Sequence, residues 1–214
     1  LGTVYKWGII MTTYAVEELN FDVEEIIKRS EQQIFKVANQ KDADGSSFRN
    51  SKVTWIDDSS KDGALPWPEL TKHISDSIKI INEKNWKFDI SECEPLQYSI
   101  YSEGDFYNWH NDQREFVYDD GLIRKLSFTL FLNEDYDGGD FEIAQLSGEK
   151  ELPKINVENV SATLLINEGG MITGPQPSAG TMIVFPSQLW HRVAPVTKGP
   201  RKSLVGWFLG KPFK

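Results

Sequence analysis

The sequence contains a single cysteine, Cys93, among its 214 residues. One cysteine can form neither an internal disulfide, nor a CxxC redox pair, nor a cysteine-rich zinc site. We therefore interpret Cys93 as a small buried hydrophobic residue. A chain of this length can bury enough of its surface to fold without crosslinks.

Basic residues and long apolar runs are also scarce. The chain has 23 Lys and Arg against 32 Asp and Glu, a net charge of −9 at neutral pH. This is the wrong sign for a protein held mainly by phosphate contacts, so we expect no nucleic-acid partner. The longest apolar runs, such as 204–209, are far shorter than the roughly 20 residues of a membrane helix. No basic or apolar signal region opens the sequence, so we expect a cytoplasmic protein without membrane association.

The composition is that of an ordinary globular protein, with 39% apolar, 26% charged and 12% aromatic residues. No internal repeat or linker divides the chain, so we predict a single α+β domain over 1–214. Within it, residues 1–90 are expected to be an N-terminal helical support region and residues 91–214 the β-core. The helices should back one face of that core.

Two amphipathic helices are predicted before residue 90. The first covers 21–38, and the second follows Pro66 and Pro68, because proline is tolerated in a first helical turn. The apolar residues at helical spacing are Val23, Ile26, Ile27, Ile34 and Val37 in the first helix, and Leu70, Ile74, Ile78 and Ile81 in the second. The polar stretch 39–48 predicts a loop, and 51–56 alternates well enough for a strand.

Short β-branched and aromatic runs dominate the chain from about Pro95 onward. They are bounded by glycine, proline and aspartate, which is the strand spacing of a sandwich or barrel. The predicted strands are 95–102, 122–133, 139–145, 161–166, 180–186, 190–194 and 201–209. Residues 137–140 are predicted to be a turn, and the polar stretch 145–160 a loop.

Only three histidines occur, and two of them are candidate metal ligands. His110 and Asp112 are separated by one residue, so on an extended segment their side chains project from the same face. With His191 they make two histidines and one carboxylate, a facial triad that suits non-haem Fe(II) and leaves coordination positions open. Arg201, on what looks like the next antiparallel strand, could bind a carboxylate bidentately.

The sequence resembles the Fe(II)/2-oxoglutarate-dependent dioxygenases, specifically the prolyl-4-hydroxylase-like group of the PKHD type. The resemblance covers residues 95–209. The residues that carry it are Tyr101, Gly104, Tyr107, His110, Asp112, Leu126, Ser127, Thr129, Leu132, Asn133, Gly138, Gly139, Gly180, Thr181, Phe185, Pro186, Ser187, His191, Val193, Pro195, Val196, Thr197, Arg201 and Trp207, in this order. Together these landmarks are far more specific than any one of them.

This resemblance implies a double-stranded β-helix (jelly-roll) core with flanking N-terminal helices. It implies an enzyme that uses Fe(II), 2-oxoglutarate and dioxygen, with ascorbate as reductant, forms succinate, and hydroxylates a C–H bond. A prolyl residue of a peptide or protein is the expected substrate. The implied roles are iron binding for His110, Asp112 and His191, binding of the distal 2-oxoglutarate carboxylate for Arg201 with help from Tyr101, and substrate contact for Tyr107, Arg124 and Trp207.

Several alternatives remain open from the sequence. Lys202 competes with Arg201 as the carboxylate partner. Another side chain, a free amino acid, a small metabolite or a nucleic acid could be the substrate. A jelly-roll binding module would not consume 2-oxoglutarate, and a metal-dependent hydrolase or isomerase would not need oxygen.

Overall fold

The computed structural model describes residues 3–6, 9–12, 14–33, 35–41, 45–56, 66–113, 121–144, 171–172 and 177–213. Two helices lie in these ranges, α1 at Val23–Ser30 and α2 at Pro68–Asn85. Neither combines the length and apolar character that a membrane crossing requires. The strands are β1 (Thr3–Lys6), β2 (Ile9–Thr12), β3 (Ala15–Glu18), β4 (Lys36–Val37), β5 (Gln40–Lys41), β6 (Ser47–Asn50), β7 (Lys52–Ile56), β8 (Leu96–Tyr101), β9 (Phe106–His110), β10 (Ile123–Phe131), β11 (Asp137–Gly138), β12 (Phe141–Ala144), β13 (Met171–Ile172), β14 (Thr181–Pro186), β15 (His191–Val193), β16 (Val196–Lys198) and β17 (Arg201–Gly210).

The larger sheet has the strand order β3-β14-β10-β17-β8-β7-β4 and is antiparallel throughout. In its strand β10, which lies between β14 and β17, Leu126, Phe128 and Leu130 belong to the main cluster of buried hydrophobic residues. Ser127 and Thr129 between them are buried polar residues. Because successive side chains of a strand point to opposite faces, β10 gives one face to the apolar core and the other to a polar interior.

Both helices contribute to the same apolar cluster as the larger sheet. Asp22 caps α1 by accepting a hydrogen bond from the Glu25 backbone N–H at 3.1 Å, and Pro68 occupies the first turn of α2. The helical members of the cluster are Ile26, Ile27, Leu70, Ile74, Ile78 and Ile81. Burying each such side chain contributes about 1.5–3 kcal/mol.

The smaller sheet has the order β13-β12-β15-β9-β6-β5 and is also antiparallel. The sheets meet where Tyr101 of β8 packs with Val193 of β15 and with Phe141 of β12. In both sheets, strands distant in the sequence lie side by side. The described part of the chain is thus mostly β-sheet with two helices, in a jelly-roll type of arrangement.

The first predicted helix is wrong beyond Ser30. Lys36–Val37 forms β4 instead, which pairs with β7 at the edge of the larger sheet. Val37 is 67% exposed, so its helical spacing does not reflect burial. Sheet pairing overrides the local periodicity here. Ile34, another residue of the predicted helix, lies outside the described residues.

The second predicted helix and seven predicted strands are confirmed. The strands are 51–56, 95–102, 122–133, 139–145, 180–186, 190–194 and 201–209, which correspond to β7, β8, β10, β12, β14, β15 and β17. The predicted loop 39–48 is wrong at Gln40–Lys41 and from Ser47, because β5 and β6 form there. The predicted strand 161–166 and loop 145–160 lie outside the described residues.

Two further regions differ from the expectation. Before residue 90, the chain supplies not only the helices but also β3, β4 and β7 to the larger sheet and β5 and β6 to the smaller one. The predicted turn at 137–140 contains a short strand, β11, which pairs with β16. Gly138 and Gly139 nevertheless have the positive φ values of 69° and 65° that a tight turn needs.

Candidate active site

Three potential metal ligands meet at the ends of β9 and β15. His110 ends β9 and His191 begins β15, and the antiparallel pairing sets these residues opposite each other. Asp112 lies just beyond β9, where its backbone N–H donates to the Ser187 carbonyl at 2.9 Å. The Asp112 carboxylate oxygens are 3.9 Å from His110 Nε2 and 3.4 Å from His191 Nε2. The three ligand atoms all lie within 4.8 Å of one another.

Backbone carbonyls orient both imidazoles. His110 Nδ1 bonds to the Asn108 carbonyl at 2.7 Å, and His191 Nδ1 bonds to the Leu189 carbonyl at 3.0 Å. Because a carbonyl oxygen can only accept, each Nδ1 carries the proton and each Nε2 keeps a free lone pair near Asp112. Burial, reinforced by the nearby His191, lowers the pKa of His110 to about 3. The neutral imidazole, which is the form that binds a metal, is therefore favoured.

The Asp112 carboxyl is held in its charged form. Burial acts to raise its pKa, but the His191 and His110 imidazoles and a hydrogen bond from Ser127 outweigh this effect, so the pKa lies below its usual value. The Ser127 hydroxyl also lies 2.9 Å from the Ser187 hydroxyl. These two serines fix the surroundings of the carboxylate, as outer partners of metal ligands commonly do.

The three side chains fit a divalent transition metal. Two ligand atoms bound at about 2.1 Å and at right angles lie about 3.0 Å apart, so the 3.4 Å and 3.9 Å separations need only a small closure. Two imidazoles and one carboxylate fill three positions and suit Fe(II). The donor set therefore fits the metal that the sequence resemblance implies.

Arg201 is a buried cation with unused donors. Its side chain is 1% exposed, and Nη1 donates to the Ser203 hydroxyl at 3.0 Å. Nε and Nη2 are buried and have no hydrogen-bond partner among the described residues. These two nitrogens form one edge of the guanidinium, the edge that pairs with a carboxylate through two parallel hydrogen bonds. Because a buried unpaired charge is costly, this edge fits a bound anion.

The position of Arg201 requires one correction. We expected it on the antiparallel strand next to His191, but β16 follows β15, and β17 lies in the larger sheet, where Arg201 pairs with Tyr101. The two sheets therefore supply the metal ligands and the cation separately. Lys202 lies elsewhere, with Nζ 2.9 Å from a carboxylate oxygen of Glu31. Of the two candidates for the carboxylate partner, only Arg201 lines the cavity described next.

A cavity of about 480 Å³ lies between the sheets and is lined by every residue to which the sequence resemblance assigned a role. These residues are Tyr101, Tyr107, His110, Asp112, Arg124, His191, Arg201 and Trp207. The Tyr107 ring stacks on the His110 ring at a centroid distance of 3.6 Å, and burial raises the pKa of Tyr107 to about 12. Arg124 covers the Trp207 ring at 3.9 Å and binds Glu94 at 2.7 Å.

The sequence analysis assigned no role to four residues that contribute to this site. Ser203 lies two residues after Arg201 on the same strand, so strand alternation could have identified it. Gly139 allows the close approach of Arg201, since a Cβ there would lie 2.9 Å from Arg201 Cδ. Glu142 pairs with Arg192, the neighbour of His191, at 2.7 Å and 3.0 Å. Arg49 also lines the cavity, but it precedes the recognised motifs and directly follows the stretch 39–48 that was expected to be a loop.

Comparisons with known proteins bear on the family and the fold of this chain. A PKHD-type hydroxylase of Synechococcus sp. (strain JA-2-3B'a(2-13)) is 32% identical over 145 residues, which cover 64% of this chain and 54% of that protein. The chain thus spans about half the length of this relative. The crystal structure of a Pseudomonas putida prolyl-4-hydroxylase is similar with a TM-score of 0.60, 21% identity and 94% coverage of both chains.

A second structure has the same fold. It is a prolyl hydroxylase from Trichoplax adhaerens in complex with a peptide fragment, with a TM-score of 0.60, 16% identity, and coverage of 92% of this chain and 84% of that one. The model of the 2OG-Fe(II) oxygenase superfamily matches residues 96–209, more than half of the chain. This match contains all three potential metal ligands and Arg201, and the chain belongs to the 2OG-Fe(II) oxygenase superfamily.

Proposed function

We propose that this protein is a 2-oxoglutarate-dependent dioxygenase that hydroxylates an unactivated C–H bond, with a peptidyl proline as substrate. One observation carries the proposal: the candidate metal ligands share a cavity with the unpaired edge of Arg201. A metal site alone would also suit a hydrolase or a binding module. The carboxylate of a co-substrate would pair with the buried guanidinium edge, and this accounts for the edge having no other partner.

The protein's own residues have defined tasks in this reaction. His110, Asp112 and His191 hold Fe(II), and Arg201 binds the distal carboxylate of 2-oxoglutarate with Tyr101 on the neighbouring strand. Bound there, Fe(II) supplies the activation of dioxygen that couples decarboxylation of 2-oxoglutarate to succinate with hydroxylation of the substrate.

Aromatic side chains pack against His191 and line one wall of this site. The Phe185 and Phe141 rings lie 4.8 Å and 5.7 Å from the His191 ring, and both line the cavity. Excluding water strengthens the electrostatic contacts of the ligands and protects a reactive centre from side reactions.

The substrate would enter along Tyr107, Arg124 and Trp207. Arg124 is held by Glu94 and by the Trp207 ring, so this wall is ordered before a substrate arrives. A peptide is supported by the Trichoplax prolyl hydroxylase, which is described in complex with a peptide fragment of the hypoxia inducible factor oxygen degradation domain. The net charge of −9 disfavours a nucleic acid.

The test is succinate formation from 2-oxoglutarate. Protein reconstituted anaerobically with Fe(II) and ascorbate, which we propose as the reductant, is mixed with 2-oxoglutarate and proline-containing peptides, with and without oxygen. We expect succinate only with oxygen, and more of it with a suitable peptide. The Asp112→Ala variant should fall to the level of a protein-free control, because one metal ligand is missing.

Each outcome bears on the proposal. Oxygen-dependent succinate formation without stimulation by any peptide would support the dioxygenase and count against a peptidyl substrate. Wild-type protein that binds metal but forms no succinate above the Asp112→Ala level would contradict the dioxygenase assignment.

A further inference from the structure

Arg49 is a second buried arginine of the cavity with an unused donor. It lies on β6, is 7% exposed, and lines the cavity. Its Nε donates to the Ser51 hydroxyl at 2.9 Å. Its Nη2 is buried and has no hydrogen-bond partner within the described ranges. A buried guanidinium nitrogen without an acceptor loses its hydration without compensation, which predicts a ligand at this position.

Arg49 is close to the metal ligands but separated from them by one ring. On the neighbouring strand β9, Tyr107 lies opposite it in register, and its guanidinium carbon sits 4.5 Å above the Tyr107 ring. The other stacking partner of Tyr107 is His110, at 3.6 Å. A group bound by Arg49 would therefore lie a few bonds from an atom that reacts at the metal.

If the proposed function is assumed, the positive charge of Arg49 has no counter-charge among the groups assigned to the cavity. Fe(II) is balanced by Asp112 and one carboxylate of 2-oxoglutarate, and Arg201 is balanced by the other carboxylate. Arg124 already has its partner in Glu94. Among the described residues that line the cavity, Asp112 is the one acidic residue. Within the described ranges, Arg49 is thus the lining cation for which neither the co-substrate nor another residue supplies a negative charge.

We propose that Arg49 binds a carboxylate of the primary substrate and is a specificity-determining residue. This inference rests on the proposed function. It narrows the substrate to a molecule with a carboxylate a few bonds from the hydroxylated carbon. The carboxylate could belong to the terminal α-carboxyl group of an amino acid or peptide, or to an acidic residue next to an internal proline. Both offer the same chemistry to the guanidinium.

The test compares probes that differ only in this charge. One pair is N-acetyl-L-proline and N-acetyl-L-prolinamide. The other is acetyl-Ala-Pro-Asp-Ala-amide and acetyl-Ala-Pro-Asn-Ala-amide. Dissociation constants are measured by calorimetry under anaerobic conditions, on protein loaded with Fe(II) and 2-oxoglutarate, so binding is read without turnover. The variants are Arg49→Gln and Arg49→Lys, and Lys41→Gln is the control because it removes an exposed positive charge from the adjacent strand β5.

We expect the carboxylate member of one pair to bind wild-type protein at least about ten-fold more tightly than its amide, the effect of one charge-assisted hydrogen bond. The pair that shows the preference identifies the source of the carboxylate. The ratio should fall below about two in Arg49→Gln, take an intermediate value in Arg49→Lys, and keep its wild-type value in Lys41→Gln.

Three results would overturn the inference. If wild-type protein binds the carboxylate and the amide of both pairs equally, the cavity has no carboxylate site, and this result does not depend on any variant. An unchanged preference in Arg49→Gln would assign it to another residue. Failure of Fe(II)-loaded wild-type protein to bind 2-oxoglutarate would remove the proposed function and this inference with it, whereas normal 2-oxoglutarate binding without a carboxylate preference removes the inference alone.

Discussion

Gly139 lies against Arg201, and replacing it with alanine tests whether the position of that arginine controls co-substrate binding. A Cβ at Gly139 would lie 2.9 Å from Arg201 Cδ and 2.9 Å from Val196 Cγ2. Favourable carbon–carbon contacts need about 3.5–4.0 Å, so one or both side chains must move. The backbone is also unfavourable for alanine, because the φ angle of 65° lies in the left-handed region.

Gly104 provides a matched control. Its φ angle is 83°, and a Cβ there would meet no heavy atom of the described residues within 4 Å. Both alanine variants should lose about 1–2 kcal/mol of unfolding free energy from the backbone alone. Gly139→Ala should lose about 1–3 kcal/mol more through overpacking. Because Arg201 Cδ makes one of the two close contacts, we also expect the dissociation constant of Gly139→Ala for 2-oxoglutarate to rise at least about ten-fold.

Two assays separate these effects. Urea unfolding measures the free energy of both variants, and anaerobic calorimetry with Fe(II)-loaded protein measures 2-oxoglutarate binding. The Gly104→Ala variant should bind 2-oxoglutarate with wild-type affinity. If Gly139→Ala binds it as tightly as Gly104→Ala does, the position of Arg201 does not control co-substrate binding, and the reasoning is refuted.

Three further predictions concern the core, a buried ion pair and the rival carboxylate partner. Ile74→Ala should cost about 2–5 kcal/mol in urea unfolding because Ile74 is fully buried, whereas Ile80→Ala, on the exposed face of the same helix, should cost less than about 1 kcal/mol; equal losses would contradict the helix packing. Glu142→Gln should cost about 3–5 kcal/mol in the same assay, because it leaves the buried Arg192 guanidinium without its counter-charge; a loss below about 1 kcal/mol would count against that pair. Lys202→Met should leave the calorimetric affinity for 2-oxoglutarate within two-fold of wild type, since Lys202 lies outside the cavity lining. A ten-fold loss of affinity would indicate that Lys202 binds the carboxylate.

The elements that the sequence predicted are those in which local pattern and burial agree. In α2, Leu70, Ile74 and Ile78 recur at helical spacing, and all three are fully buried. In α1 the same spacing continues past the end of the helix to Val37, where pairing with β7 decides the structure instead. Periodicity therefore located the helices, but it could not show where pairing with a distant strand would end a helix.

Some residues of the candidate site could likewise be selected from the sequence, and others could not. His110, Asp112 and His191 were identified from residue type and order, because few side chains can bind a metal. Arg201 was identified by its type, although its sheet was wrong, since the short strand β16 gives too weak a pattern to be noticed. Arg49 could not be identified at all, because its place in the cavity depends on the pairing of β6 with β9, a contact that no local sequence feature encodes.

The most direct test of the central claim is the origin of the oxygen in succinate. Fe(II)-loaded wild-type protein is supplied with 2-oxoglutarate and oxygen-18 gas in ordinary water, and the succinate formed is analysed by mass spectrometry beside that from Asp112→Ala. Our account predicts one heavy oxygen atom per succinate from the wild-type protein and no labelled succinate from the variant. Wild-type protein that binds both Fe(II) and 2-oxoglutarate yet forms no labelled succinate would contradict it.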